Sequence, residues 1–259
     1  MKPLSKPVFL PPLALTAGLA ACALRLGLYA SAVDVKGLLI SGHPLTLSLW
    51  ALTALVLAAV CAVTVRLEGS ADYADNFSPS PAAALGCAAM AAGSLVTVLT
   101  GEAGLPGILA TVWMAAGILS AAALAVLALL RWNGARPHFA LYAVMCLFLA
   151  LHTVCRYRPW SGNPQLMDYL FALFACIGLM LFAFYQSGFA LGMGKRRMQL
   201  TVGLLTAFAC FACLPMAEHP LLYLGGGLWT LTDLCSLTPV PKQIEEPQPE
   251  EPQPESGEE

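Results

Sequence analysis

Residues 106–130 read PGILATVWMAAGILSAAALAVLALL and contain no charged side chain. A helix needs about 20 apolar residues, at 1.5 Å each, to cross a hydrocarbon core of roughly 30 Å, so this stretch is long enough to cross a membrane once. Of all 259 residues, 58% are hydrophobic and 11% are charged, whereas about 25% are charged in an average soluble domain. The composition therefore excludes a soluble fold and predicts an integral membrane protein.

Similar apolar runs, bounded by Pro, Gly or charge, occur eight times along the chain. Because every backbone N–H and C=O must be hydrogen-bonded inside lipid, such runs favour helices. We predict an all-α, polytopic transmembrane helix bundle over residues 1–238. The last run contains three glycines at 225–227 and also Asp233, so seven spans are the alternative. The predicted spans are 11–33, 45–66, 82–100, 106–130, 138–155, 166–190, 199–217 and 220–238.

The distribution of Lys and Arg predicts the orientation, because short cytoplasmic loops are enriched in these residues. With the N-terminus inside, nine of them fall in cytoplasmic segments and three in outer loops. Both termini are therefore predicted to lie in the cytoplasm. The inner set is Lys2, Lys6, Arg66, Arg131, Arg136, Lys195, Arg196, Arg197 and Lys242, and the outer set is Lys36, Arg156 and Arg158.

Residues 239–259 differ from the bundle in composition. They contain one Lys and seven Glu, and they repeat the pentapeptide EEPQP at 245–249 and 250–254. Proline fixes φ and removes backbone donors, and the glutamates repel one another, so we predict a disordered, extended cytoplasmic tail. Such a tail is either a solubilising end or a docking segment for a basic partner.

Small residues dominate the third predicted span, most clearly at 82–92 and in the Gly93 and Ser94 that follow. Helices in lipid associate where small side chains let their backbones approach closely. We therefore predict that this helix lies centrally in the bundle.

Two charged residues are predicted to lie at membrane depth, Arg25 in the first span and Asp233 in the eighth. A charge at the bilayer centre costs about 2.5 to 3.5 kcal/mol unless it is paired or hydrated, so charges at this depth are candidate functional sites. The structural explanation for Arg25 is an outward-reaching side chain or one ion pair. For Asp233 it is simple proximity to the cytoplasmic end.

The connection between the fifth and sixth spans is the strongest candidate site. It places arginines on the side that is otherwise poor in positive charge, together with aromatic, proline and glycine residues that favour a compact loop. Guanidinium groups suit carboxylate or phosphate ligands. The alternative is an interfacial aromatic belt with a structural salt bridge. The predicted ligand-binding residues are Arg25, Arg156, Arg158, Trp160, Asp168 and Tyr169.

Three features that resemble functional motifs are better explained by packing or by the membrane interface. Residues 19–22 match a lipoprotein cleavage pattern, but the apolar run continues past Cys22. Cys210 and Cys213 form a C-x-x-C motif among apolar neighbours. The histidines show no ligand spacing for a metal or haem. We predict no cofactor, no catalytic residue and no nucleic-acid partner.

Several strings together resemble a family of uncharacterised polytopic membrane proteins of anaerobic Gram-positive gut bacteria. The resemblance covers most of residues 25–238 and implies a bacterial cytoplasmic membrane, but no activity. The strings are RLGLY at 25–29, DVKGLL at 34–39, GHP at 42–44, DNF at 75–77 with Pro79 and Ser80, the loop 156–169 and the turn 192–197.

Three hypotheses of function follow from these features. The first is binding or transport of a small anionic or zwitterionic ligand from an outward-facing pocket formed by the predicted site. The second is a membrane sensor or assembly scaffold that recruits a basic partner through residues 239–259. The third is an intramembrane enzyme that acts on membrane lipid. Lipid is also a predicted partner because it surrounds the helix bundle.

Overall fold

The structure is a computed structural model that describes residues 9–32, 43–65, 70–101, 107–161 and 166–238, without the side chains of 158–161 and 166–168. Within these ranges nine α-helices follow one another, and a 3₁₀ turn precedes the last. The helices are α1 (Leu10–Ser31), α2 (Pro44–Thr64), α3 (Tyr73–Asn76), α4 (Pro81–Thr100), α5 (Gly107–Asn133), α6 (Phe139–Ser161), α7 (Leu166–Ala190), α8 (Arg196–Cys213) and α9 (Pro220–Cys235), with the turn at Leu214–Met216.

Each of the eight predicted runs corresponds to one long helix, so the prediction of a helical bundle is confirmed. The additional helix, α3, has four residues and lies between α2 and α4. The main difference is in α8, which ends at Cys213 although the apolar run continues to 217. Pro215 has no N–H to continue the helical hydrogen bonds, and the chain tightens there into the 3₁₀ turn.

Seven of the described helices, α1, α2 and α4 to α8, are long and apolar enough to cross a membrane. The chain is therefore a multi-pass membrane protein. The remaining long helix, α9, has 16 residues and a length of about 24 Å at 1.5 Å per residue, which is shorter than a hydrocarbon core of roughly 30 Å. Even so, most of its residues are buried inside the bundle.

Glycines let α4 and α9 pack with their backbones in close contact. A Cβ atom on Gly93 would lie 2.4 Å from the carbonyl oxygen of Leu221, and one on Gly225 would lie 2.6 Å from that of Ala89. Small residues are enriched where helices associate in lipid, because they let the backbones approach closely. Half of the α4 span is buried, against two thirds of the α8 span, and α4 packs against α5 and α9, so α8 and not α4 is the most enclosed of the seven apolar helices.

The other helices pack largely in the order of the sequence. Helices α4 to α8 follow one another, each packed against the next, and α9 lies between α8 and α4. Helix α1 packs against α8, and α2 contacts α1 and α8.

Basic residues gather at one end of the bundle, which we call the basic end. Arg131 at the end of α5 contacts Asp233 at the end of α9. Arg136 donates to the carbonyl oxygen of Ala190 at the end of α7. The start of α8, with its three consecutive basic residues 195–197, lies at the same end, since Arg196 donates to the carbonyl of Thr238 after α9. We call the other end the Arg156 end.

Candidate functional site

Arg156 is held in a small polar cluster near the end of α6. Its Nη1 donates to Oε2 of Glu218 over 2.9 Å, and its Nη2 contacts Nε2 of His219. Both partners lie in the short connection between α8 and α9. The Arg156 side chain is 14% exposed and that of Glu218 is 40% exposed, so the ion pair is half-buried with its acidic member nearer the surface.

The contact with Arg156 fixes the charge of His219. A guanidinium has only donors, so the contact is a hydrogen bond only if Nε2 of His219 accepts, which requires a neutral imidazole. Burial and the nearby Arg156 charge lower the pKa of His219 to about 4, while Glu218 acts weakly in the opposite direction. His219 is therefore neutral at pH 7.

His152 lies behind this cluster, one turn earlier on α6, and is fully buried. Its ring is 5.6 Å from that of His219 and stacks on Trp113 of α5 at 6.1 Å between ring centroids. Neither ring nitrogen of His152, nor Nε1 of Trp113, has a hydrogen-bond partner in the described part of the chain. Buried polar atoms are normally hydrogen-bonded, so these three nitrogens mark a place for water or a ligand.

The sequence identifies His152 only as a histidine at the predicted outer side of the membrane, whereas the structure shows that other helices enclose it. The sequence contains no signal for this burial. A single histidine in an apolar run shows neither which face of its helix it occupies nor which helix covers that face.

Arg25, the buried arginine of α1, is also fixed inside the bundle. Its Nη1 donates to the carbonyl oxygen of Ala212 over 3.0 Å, and its guanidinium lies 5.2 Å from the ring centroid of Phe171. Arg25 thus joins α1 to α8 and α7, whereas Arg156 joins α6 to the start of α9. These contacts do not join the two arginines of the predicted site to each other.

The other predicted ligand-binding residues are less well defined. Tyr169 is half-buried at the start of α7 and packs against the apolar core. The side chains of Arg158, Trp160 and Asp168 lie outside the described residues, as does the whole of the 239–259 tail. Their roles stay predictions.

A second polar cluster fills the basic end and centres on a buried ion pair. Nη2 of Arg131 lies 2.5 Å from Oδ1 of Asp233, and the two side chains are 3% and 4% exposed. Arg131 also donates to Tyr73 and Ser236, while Gln186 donates to the other Asp233 oxygen. Asp233 is thus far more than a residue near a helix end, because it is the partner of a buried arginine.

The same cluster anchors the connection before α4 to the segment after α9. Arg196 donates to the side-chain oxygen of Asn76 over 2.9 Å and to the carbonyl oxygen of Thr238. Phe77 and Leu237 form an isolated antiparallel bridge, and the backbone N–H of Thr238 donates to Asn76. The basic end is therefore closed by polar contacts and by two short pieces of chain.

The described surface offers little else for a polar ligand. A groove of about 350 Å³ between α2, α7 and α8 has apolar walls that include Leu57, Phe174 and Val202, as expected where helices face lipid. Among the described residues, no three His, Cys, Asp or Glu side chains lie close enough together to hold a metal ion. The charged and unpartnered groups are better evidence of a site than the groove, because a lipid-facing protein has apolar grooves wherever its helices diverge.

Comparison with protein-family models, with curated proteins and with solved structures finds no match.

Proposed function

We propose that the chain is a multi-pass protein of a bacterial cytoplasmic membrane that binds and transports a small anionic or zwitterionic solute. The observation that supports this most is the cluster at the Arg156 end. There a half-buried ion pair adjoins three buried nitrogens that have no partner among the described residues.

The chemistry of the cluster suits a solute with a carboxylate or phosphate group. Arg156 offers planar donors that match two oxygens at once. Trp113 offers a further donor, and His152 can donate from one ring nitrogen and accept at the other. Polar groups that converge in an apolar protein interior are the usual basis of small-molecule recognition.

The second polar cluster favours transport over simple binding. A transporter exposes its site to each side of the membrane in turn, so each end needs contacts that can close it. The Arg131–Asp233 pair and the two chain segments around it close the basic end. In our proposal this end faces the cytoplasm, following the positive-inside rule, and solute enters from the Arg156 end.

Thermal unfolding of the purified full-length protein tests the proposal. The protein is unfolded in the presence of each of a panel of small solutes: acetate, succinate, inorganic phosphate, glycine, glutamate and glycine betaine. A solute that binds the folded state raises the unfolding temperature in a concentration-dependent way. We expect at least one member to stabilise the wild type and to lose its effect in the Arg156→Gln variant.

The matched control is Arg136→Gln, which removes an exposed arginine from the basic end. This variant is expected to keep the full shift. The proposal is wrong if no member of the panel shifts the wild type, or if the shift is the same in Arg156→Gln.

A further inference from the structure

A series of unpartnered polar side chains, which we call the polar column, runs inward from the Arg156 end. At most 3% of each residue is exposed, and the polar side-chain atoms have no hydrogen-bond partner in the described ranges. Buried polar groups are normally hydrogen-bonded, so several unpartnered groups in one region call for an explanation. The members are Ser94 and Thr97 of α4, Trp113 and Ser120 of α5, and His152 of α6.

Other hydroxyl groups of the same three helices are satisfied within their own helix. Thr100 of α4, Thr111 of α5 and Thr153 of α6 each donate to the carbonyl oxygen one turn earlier, over 2.7 to 3.3 Å. This bond is available to any serine or threonine inside a helix. The three hydroxyls of the polar column do not make it, so they are available to a molecule that lies between the helices.

The packing of α4 on α5 places the two serines of the column at one level. A Cβ atom on Gly117 would collide with the side chain of Val98, so these two residues face each other. Ser120 follows Gly117 by about one turn and Ser94 precedes Val98 by one turn, and the two helices run in opposite directions. The serines therefore meet at one level, about 10 Å further into the bundle than Gly101 at 1.5 Å per residue.

The outer part of the column adjoins Arg156. His152 lies one turn before Arg156 on α6, and its ring stacks on that of Trp113. Thr97 lies one turn before Gly101, where a Cβ atom would be 3.0 Å from the Trp113 ring. The column therefore has members on three adjacent helices and extends from the Arg156 end to the middle of the bundle.

The unpartnered groups are unfavourable in the arrangement that the structure shows, because their polar atoms contact neither solvent nor a described partner. They become favourable when water or a polar solute reaches them. Hydroxyl, indole and imidazole groups can all donate to a carboxylate or phosphate oxygen, and the hydroxyls can also accept from an ammonium group. The column is thus suited to an arrangement in which α4, α5 and α6 lie further apart.

We propose that the solute crosses the membrane between α4, α5 and α6, along a path lined by the polar column. The structure is the closed state of this path, and water and solute enter when the three helices separate. The solute passes from Arg156 to the nitrogens of Trp113 and His152 and then to the hydroxyls of Ser94 and Ser120. This proposal rests on the proposed function and adds the route and the residues that line it.

Reaction of introduced cysteines with a charged thiol reagent tests the path. The full-length variants Ser94→Cys, Thr97→Cys and Ser120→Cys are placed in lipid nanodiscs, which leave both faces of the membrane open. The reagent is 2-sulfonatoethyl methanethiosulfonate, a small anion that dissolves in water and not in lipid. Mass spectrometry of peptides measures the reaction rate at each cysteine separately, so the nine native cysteines can stay in place.

The matched control is Thr206→Cys. Thr206 is 2% exposed and its hydroxyl also has no described partner, but it lies on α8 beside the apolar groove between α2, α7 and α8. We expect Ser94→Cys and Ser120→Cys to react about tenfold faster than Thr206→Cys or more, because the rate follows the population of the state in which the thiol meets water. An unchanged unfolding temperature shows that each variant keeps the fold.

The failures of the path and of the proposed function are distinct. Reaction of both serine variants as slowly as Thr206→Cys overturns the path, and equally fast reaction of all the variants overturns it too. In either case a panel solute that raises the unfolding temperature leaves the proposed function standing. Fast reaction of the serine variants alone, with no panel solute binding, supports a hydrated path and overturns the proposed function.

Discussion

Replacing Asp233 by alanine is expected to lower the free energy of unfolding by about 3–5 kcal/mol, the usual cost of removing one member of a buried ion pair. Arg131 is 3% exposed and would keep its charge without the carboxylate that it contacts at 2.5 Å. Gln186 would lose its acceptor on Asp233 as well. Unfolding in detergent micelles titrated with dodecyl sulfate measures the effect.

Two further variants show whether the loss of stability in Asp233→Ala comes from the buried ion pair or from the removal of any carboxylate. Asp72→Ala removes an exposed carboxylate that lies 3.8 Å from Arg136, and its cost should be about 0–1 kcal/mol. The double variant Arg131→Met, Asp233→Leu removes both charges and should recover most of the lost stability. Equal losses for Asp233→Ala and Asp72→Ala would contradict the buried pair.

Replacing Gly93 or Gly225 by alanine is expected to lower the free energy of unfolding by about 1–3 kcal/mol each, as overpacking of a close contact does. In both cases the new methyl group meets backbone atoms of the facing helix, at 2.4 Å for Gly93 and 2.6 Å for Gly225. A flexible side chain could move aside, but a helix backbone can yield only if α4 and α9 separate. The same dodecyl sulfate titration measures the loss.

Gly27→Ala is the matched control for these glycine variants. A Cβ there would lie 3.6 Å from the nearest neighbouring atom, a methyl of Leu45, which is an ordinary contact distance. Alanine also favours a helix over glycine by about 1 kcal/mol, so this variant should be neutral or stabilising. If all three alanines have the same small effect, close packing of α4 on α9 is not what holds α9 in place.

The spans were predictable because crossing a membrane is a local property of the sequence. Length, hydropathy and the prolines that begin several helices, such as Pro44, Pro81 and Pro220, lie within or beside each run. The close packing of α4 was also predictable, because small residues at 82–94 directly allow it. The early end of α8 at Cys213 can also be predicted from the sequence, because Pro215 follows two residues later.

The site was harder to predict because its contacts join distant parts of the chain. Arg131 and Asp233 are separated by 102 positions, and nothing near either residue shows that α5 and α9 end side by side. Arg131 looked like one of many basic residues at a cytoplasmic boundary. Arg156 was identified from its predicted place on the side that is poor in positive charge, whereas its partners Glu218 and His219 required knowledge of how α6 and α9 meet.

We propose that α9 crosses the membrane as an eighth span and that the basic end faces the cytoplasm. Fusions after Gly134, Ala217 and Thr238 to a reporter pair, green fluorescent protein for the inside and alkaline phosphatase for the outside, test it most directly. We predict fluorescence after Gly134 and Thr238 and phosphatase activity after Ala217. Phosphatase activity after Thr238, or the same side reported by Ala217 and Thr238, would contradict it.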